Sequence, residues 1–208
     1  MFRKQLLDSS RGRIVSLLQH GELTIDQIAS QLALTPNAVR AQITGMERDG
    51  VVQRIGLRAG ITRPSQVYQL TGEVEQLLSR AYVPVLTQLV RVFASRLPAE
   101  QMEEALREAG RALADELLSG RRPSGSLEAR IDAASGLLNT QLGAVTRVEK
   151  NGEYMIQGRA CPLAAVTGKH PAVCMAMEEL IAEVVGVPVN ECCDRADRPR
   201  CCFKIASE

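Results

Sequence analysis

Between Ser9 and Leu70 three short helical patterns run directly into two strand patterns, and this succession constrains the chain more than any other feature. Ile14, Leu17 and Leu18 repeat at helical spacing, and Gly21 follows as a stop. Thr24 is placed to cap a second helix, in which Ile25, Ile28, Ala29 and Leu32 form one inward face. Thr35 caps a third, with Pro36 at its first position, where a missing N–H leaves no bond unmade. Val39, Ile43 and Met46 stand at i, i+4 and i+7 and face the core. After Gly50 the period changes from helix to strand: "VVQRI", a loop "GLRAGITRP", then "SQVYQL", a β-hairpin.

This order predicts a winged helix-turn-helix. The outer side of the third helix presents Asn37, Ala41, Thr44 and Arg48, with Thr35 at its start and Arg40 on its flank. Small, polar and cationic side chains suit entry into a major groove, where long acidic ones would not. Arg54, Arg58 and Arg63 lie around the hairpin tip, where cations meet phosphate or enter a minor groove. Charge supports the reading: residues 1–72 carry nine Lys/Arg and five acids, a net +4, against −3 for the rest of the chain. Double-stranded DNA is the expected partner. The plainer alternative is a three-helix domain whose hairpin binds protein.

Residues 73–125 read as a helical linker and dimerisation region. Val74, Leu78, Ala81, Val85, Leu89 and Val92 recur at spacings of three and four, and Pro84 should kink or restart the helix near Tyr82. "PAEQMEEALREAGRALADELL" is a second amphipathic helix opened by Pro98 and an acidic first turn. "SGRRPSGS" is a joint, and "SLEARIDAASGLLNTQL" a further helix. One small winged helix reads only a short half-site, so a homodimer on an inverted-repeat operator is expected.

All six cysteines lie in the last third of the chain. "AVTRVEKNGEYMIQGRACP" is a hairpin with an Asn151-Gly152 turn, leading to Cys161. A helix opened by Pro171 and closed by Gly186 holds Cys174 in its first turn. Both thiols are expected near helix N-termini, which favours thiolate. At the end, "VNECC" and "RCCFKI" flank "DRADRPR". If these pair as an antiparallel hairpin, opposed residues have a constant sum, and 394 sets Cys192 against Cys202 and Cys193 against Cys201. Alternation then gives the two pairs opposite faces. Cys193 and Cys201 share a face with Val189, Phe203 and Ile205 and should point inward; Cys192 and Cys202 should point outward. Disulfides would require an oxidising compartment, which nothing here implies. Zinc remains open, but twelve residues separate Cys161 from Cys174 and no close-spaced knuckle is present. Soft all-thiolate ligation also suits an iron–sulfur cluster.

"TPNAVRAQITGMERDGVV" followed by "GITRPSQVYQLT" resembles the winged-helix half of ArsR/DeoR-like repressors, and its tail the wing of SufR-type iron–sulfur regulators. Ile61 and Thr62 stand where that family's wing has more Gly and Arg. The C-terminal region is also similar to SufR-type regulators through Cys161-Pro162, His170-Pro171-Ala172-Val173-Cys174, Val185-Gly186-Val187-Pro188-Val189 and Cys201-Cys202-Phe203-Lys204-Ile205. The likeness covers residues 9–75 and 143–206. It implies a cluster-sensing repressor, commonly of iron–sulfur assembly genes, with a [4Fe–4S] cluster and Cys201 as the last ligand. The expected ligand set is Cys161, Cys174, Cys193 and Cys201, with Cys192 in reserve. The doubled cysteines depart from the family pattern and leave the fourth ligand open. The outward pair could be spare, a redox partner or an alternative ligand set.

The expected fold class is α+β: a winged-helix domain over 1–72, central helices over 73–125, and a cysteine-bearing sensor domain over 126–208. No stretch approaches the roughly twenty apolar residues that span a bilayer, and the N-terminus carries no secretory h-region, so a cytoplasmic location without a membrane partner is expected. An enzyme is not expected: there are two histidines, no carboxylate constellation and no phosphate-binding Gly motif. Two rivals stay open, a small-ligand regulator with structural zinc and a metal-free thiol redox sensor.

Overall fold

The computed structural model describes residues 9–59, 63–195 and 199–206. The chain divides into two compact units, Met1–Arg80 and Ala81–Glu208. The span 73–125 is therefore shared between them. It is not a separate body.

The first unit holds α1 (Ser10–Leu18), β1 (Leu23–Thr24), α2 (Ile25–Leu32), α3 (Pro36–Arg48), β2 (Val52–Arg58), β3 (Ser65–Leu70) and α4 (Gly72–Leu78). Its sheet has the order β1-β3-β2, all antiparallel. This is a winged helix. Each short helix is held by a cap. The Thr24 side chain accepts from the Gln27 N–H at 3.3 Å while Gln27 Oε1 accepts from the Thr24 N–H at 2.8 Å, a reciprocal capping box. Ala33 turns the chain out of α2 at φ 54°. Thr35 Oγ1 accepts from the Ala38 N–H at 3.2 Å, with Pro36 opening α3 as expected. Ile14, Ile28, Val39, Ile43, Met46 and Leu70 meet in one buried core. The two-residue strand β1 was not visible in the pattern: Leu23 and Thr24 read as a cap, and only pairing with Val67 and Tyr68 makes them a strand. Val74 and Leu78 of α4 pack on this core, so the first part of the expected linker belongs here.

The second unit holds α5 (Tyr82–Arg96), α6 (Ala99–Leu118), α7 (Leu127–Gln141), β4 (Thr146–Asn151), β5 (Glu153–Gly158), the short α8 (Ala164–Thr167), a 3-10 turn (Pro171–Val173), α9 (Cys174–Val185), β6 (Val189–Glu191) and β7 (Cys202–Ile205). The helix does restart at Tyr82, with Pro84 in its first turn, where no N–H is needed. The sheet order is β4-β5-β7-β6. One face carries Ile156, Phe203, Ile205 and Val189 into a core with Ile131 and Leu138 of α7 and Leu180, Ile181 and Val184 of α9. Helices α6 and α9 approach closely at Gly110, where a Cβ would stand 2.4 Å from the Ala176 carbonyl oxygen. Arg107 and Arg111 of α6 reach Glu179 of α9 at 3.1 Å each, sealing the edge of that contact. Among the described residues no helix is long and apolar enough to cross a membrane.

Candidate sulfur centre and nucleic-acid interface

The terminal hairpin adopts the expected register. Val189 opposes Ile205, Asn190 opposes Lys204 and Glu191 opposes Phe203. The Cys192 N–H donates to the Cys202 carbonyl at 2.7 Å, and Asp194 bridges to Arg200 beyond it. Every pair sums to 394. Cys193 and Cys201 pack against the buried core, on the face that carries Phe203 and Ile205. The other pair differs from expectation: Cys192 and Cys202 are joined by a disulfide, their Cα atoms 4.9 Å apart. Directly opposed residues already hold their Cα atoms within bridging range, so the register itself makes the bond geometrically accessible. While so bonded, the Cys192 sulfur offers no thiolate.

On the inner face three sulfurs lie in series. Cys174, the first residue of α9, is buried with its sulfur within 4.8 Å of that of Cys193, and Cys193 and Cys201 pack against the same core. A neighbouring thiol and burial hold Cys174 far above the ordinary thiol range. Cys174 pulls Cys193 down, but Cys201 and burial outweigh it and push Cys193 up to about 12. The expected dipole-lowered thiol at Cys174 is thus corrected: burial and thiol–thiol hydrogen bonds override the helix terminus. Room for Cys201 comes from Gly158 of β5, whose absent Cβ would lie 3.2 Å from Cys201 Cβ.

Cys161 lies in the loop after β5. It is not an N-cap, because α8 starts at Ala164. Its N–H donates to the Pro199 carbonyl at 2.9 Å, and the nearby Gly158 N–H donates to the Cys201 carbonyl at 2.8 Å, so this loop is tied to the terminal hairpin. Its sulfur is 3.8 Å from Thr167 Oγ1. Among the described residues Cys161 stands outside the tightest donor group, in which atoms of Cys174, Glu191 and Cys193 all lie within 4.8 Å of one another. His170 begins the 3-10 turn, as a backbone cap rather than a member of that group.

Glu191 and Arg195 were missed in the sequence. Glu191 Oε1 accepts from the Cys193 N–H at 2.9 Å, and its other oxygen pairs with Arg195. Arg195 also reaches the Cys174 sulfur, setting a cation beside the thiols. Glu191 shares the inward face with Cys193, so alternation alone would have found it. Cys174, Cys193 and Cys201, with the Glu191 carboxylate and the Arg195 guanidinium beside them, form a soft, thiol-rich group whose chemistry suits a thiolate-bound metal, and Cys161 is tied to the same hairpin only through its backbone.

On α3, Asn37, Arg40, Ala41, Thr44 and Arg48 are all exposed and Val39, Ile43 and Met46 all buried. Arg40 donates to Asn37 Oδ1 at 2.9 Å, holding both along one ridge. The arginines behind the helix differ from the expected cluster at the tip. Arg54 sits within β2 in a two-pronged pair with Glu47, at 2.7 and 3.0 Å. Arg58 pairs with Glu22 at 3.0 Å and donates to Gln27 at 3.1 Å. Arg63 is exposed and, among the described residues, has no ion pair. Ile61 and Thr62 lie outside the described residues, as does the N-terminal cation pair Arg3 and Lys4.

One family model agrees with the N-terminal architecture. Residues 3–56 match the DprA winged helix domain family. Similar solved structures include the apo form of a double mutant of Lactococcus lactis ZitR, at 17% identity over 54% of this chain and 85% of that one, with a TM-score of 0.30. Another is a mutant MepR from a multidrug resistant S. aureus clinical isolate, at 20% identity over 56% and 86%, with a TM-score of 0.31. No curated protein matches the chain. Residues 3–56 are thus similar to a winged-helix domain, and the sheet domain that carries the sulfurs lies outside the matched segment.

Proposed function

We propose that the protein is a cytoplasmic, homodimeric, DNA-binding transcriptional repressor of the SufR type, whose operator affinity is set by an iron–sulfur cluster held by Cys161, Cys174, Cys193 and Cys201. The observation that carries this reading is the meeting of Cys174, Cys193 and Cys201 on the buried face of the terminal hairpin. Three separated chain segments bring thiols there, and the loop of Cys161 is fastened to the same hairpin. When bound, the cluster supplies a redox-sensitive [4Fe–4S] centre. The residues do the rest: Cys174 anchors the start of α9, Cys193 and Cys201 anchor the hairpin, and Arg195 offsets negative charge on the sulfurs. Control of transcription follows if the loaded and unloaded states differ in DNA affinity.

The exposed ridge of α3 supports a major-groove reader. The ion pairs at Arg54 and Arg58 are exposed, and such pairs contribute about 0–1 kcal/mol, so a phosphate can displace the carboxylate. The homodimer is supported by α5. Its inner side buries Val90, while Val85, Leu89 and Phe93 remain 55, 48 and 48% exposed along one stripe. An apolar stripe of that kind is the signature of an association surface.

Purification without oxygen, followed by iron, sulfide and zinc analysis and a visible spectrum, tests the reading. Iron and sulfide near four per chain support it; a colourless, iron-free protein that binds DNA rejects it. A second reading is favoured by the Cys174, Glu191 and Cys193 group, a site for a single zinc ion. One zinc per chain without sulfide in the same assay would select it.

A further inference from the structure

We infer that the Cys192–Cys202 disulfide is a thiol-exchange site that accepts electrons from small thiols bearing carboxylates. This inference uses the disulfide of the hairpin and does not rest on the proposed cluster, although Cys201 also lines the same cleft. Four residues form one row across the open side of the sheet. Arg147 opposes Gln157, Gln157 opposes Cys202, and Cys202 faces Cys192 through the disulfide. The row lies in a cleft of about 510 Å³ that both disulfide cysteines line.

The cleft is cationic. Arg147, Arg159 and Arg200 line it against one carboxylate, Asp194. Arg200 is paired with Asp194 at 3.1 Å, and Arg147 with Glu149 at 2.6 Å. Arg159 is exposed and, among the described residues, has no ion pair. A buried structural disulfide has no need of a cleft or of surrounding guanidiniums. A thiolate that carries further negative charge would be concentrated here and directed at the sulfurs.

The exchange balances in two steps. A small thiolate attacks one sulfur of the disulfide, forming a mixed disulfide and releasing the other cysteine as a thiolate, which takes a proton from water. A second small thiolate attacks the small-molecule sulfur of that mixed disulfide. It releases the second cysteine and leaves as the oxidised small-molecule disulfide. Two electrons pass from the two small thiols to Cys192 and Cys202.

The full chain, incubated with glutathione or with cysteamine at matched thiolate concentration, tests this by peptide mass mapping over time. Glutathione is expected to reduce the Cys192–Cys202 bond at least about threefold faster at low salt, with the advantage falling as ionic strength rises. The double variant Arg159→Gln, Arg200→Gln is expected to bring the two rates together. Equal rates in the unaltered protein, or a mixed disulfide confined to other cysteines, would each overturn the inference.

Discussion

The backbone N–H of Cys202 donates to the Cys193 sulfur at 3.2 Å, so a residue of the outer disulfide supports a thiol of the inner face. The same sulfur also lies 3.6 Å from the Cys202 carbonyl oxygen. The two faces of the hairpin therefore share a backbone but not a role.

Substituting serine separates them. Cys174→Ser, Cys193→Ser and Cys201→Ser are each expected to abolish bound iron and sulfide, and Cys161→Ser likewise. Cys202→Ser is expected to retain them, because its sulfur faces the open side. Iron and sulfide analysis of the anaerobically purified variants decides; loss in Cys202→Ser would reverse the assignment of faces.

Arg40→Ala is expected to weaken operator binding and to flatten the dependence of affinity on salt by roughly one counterion. Fluorescence anisotropy over a salt series measures both. Arg40 is exposed and its side chain donates to Asn37, a neighbour on the same helix, so folding should be unaffected.

Gly110→Ala forces a Cβ against the Ala176 carbonyl and is expected to cost about 1–3 kcal/mol. Gly136→Ala, on the exposed side of α7 with nothing within 4 Å, is expected to stabilise by about 0.5–1 kcal/mol. Urea unfolding of both variants checks the contrast in sign.

Leu89→Glu and Phe93→Glu, on the exposed stripe of α5, are expected to yield monomers of unchanged fold. Light scattering and circular dichroism read the two properties separately. A dimer that survives both changes places the interface elsewhere.

The Asp49 carboxyl at the end of α3 is held below its ordinary value of 3.8, first by the Arg11 guanidinium, against a smaller penalty from burial, and also by Arg48. A carboxylate depressed in the folded state adds stability above 3.8 that is lost as pH falls through the lower folded value. Asp49→Asn is therefore expected to flatten the acid limb of the stability curve below pH 4, measured by denaturant unfolding across pH.

The parts of this structure that obey a short-range period were legible in the sequence. The faces of α1, α2 and α3 followed from apolar spacing, and the caps at Thr24 and Thr35 from residue type. The hairpin register followed from one sum, and the inward face from Phe203 and Ile205. Long-range partners were not legible. That Arg54 meets Glu47 and Arg58 meets Glu22 depends on how β2 crosses the helices, which no spacing encodes. The raised thiols arise because the chain converges on Cys193, a property of packing that overrides the local helix terminus at Cys174. The close passage at Gly110 is likewise silent in the sequence, where that glycine reads only as a weak point in a helix.

The doubling of the cysteines gives the hairpin a form of error tolerance. A one-residue slip of β7 would exchange Cys201 for Cys202 on the inner face, and a sulfur would still be presented there. The same slip would turn Phe203 and Ile205, now 2% exposed each, out to solvent. Proofreading of the register thus falls to two apolar side chains that take no part in sulfur chemistry, and they decide which cysteine faces the core and which the open side.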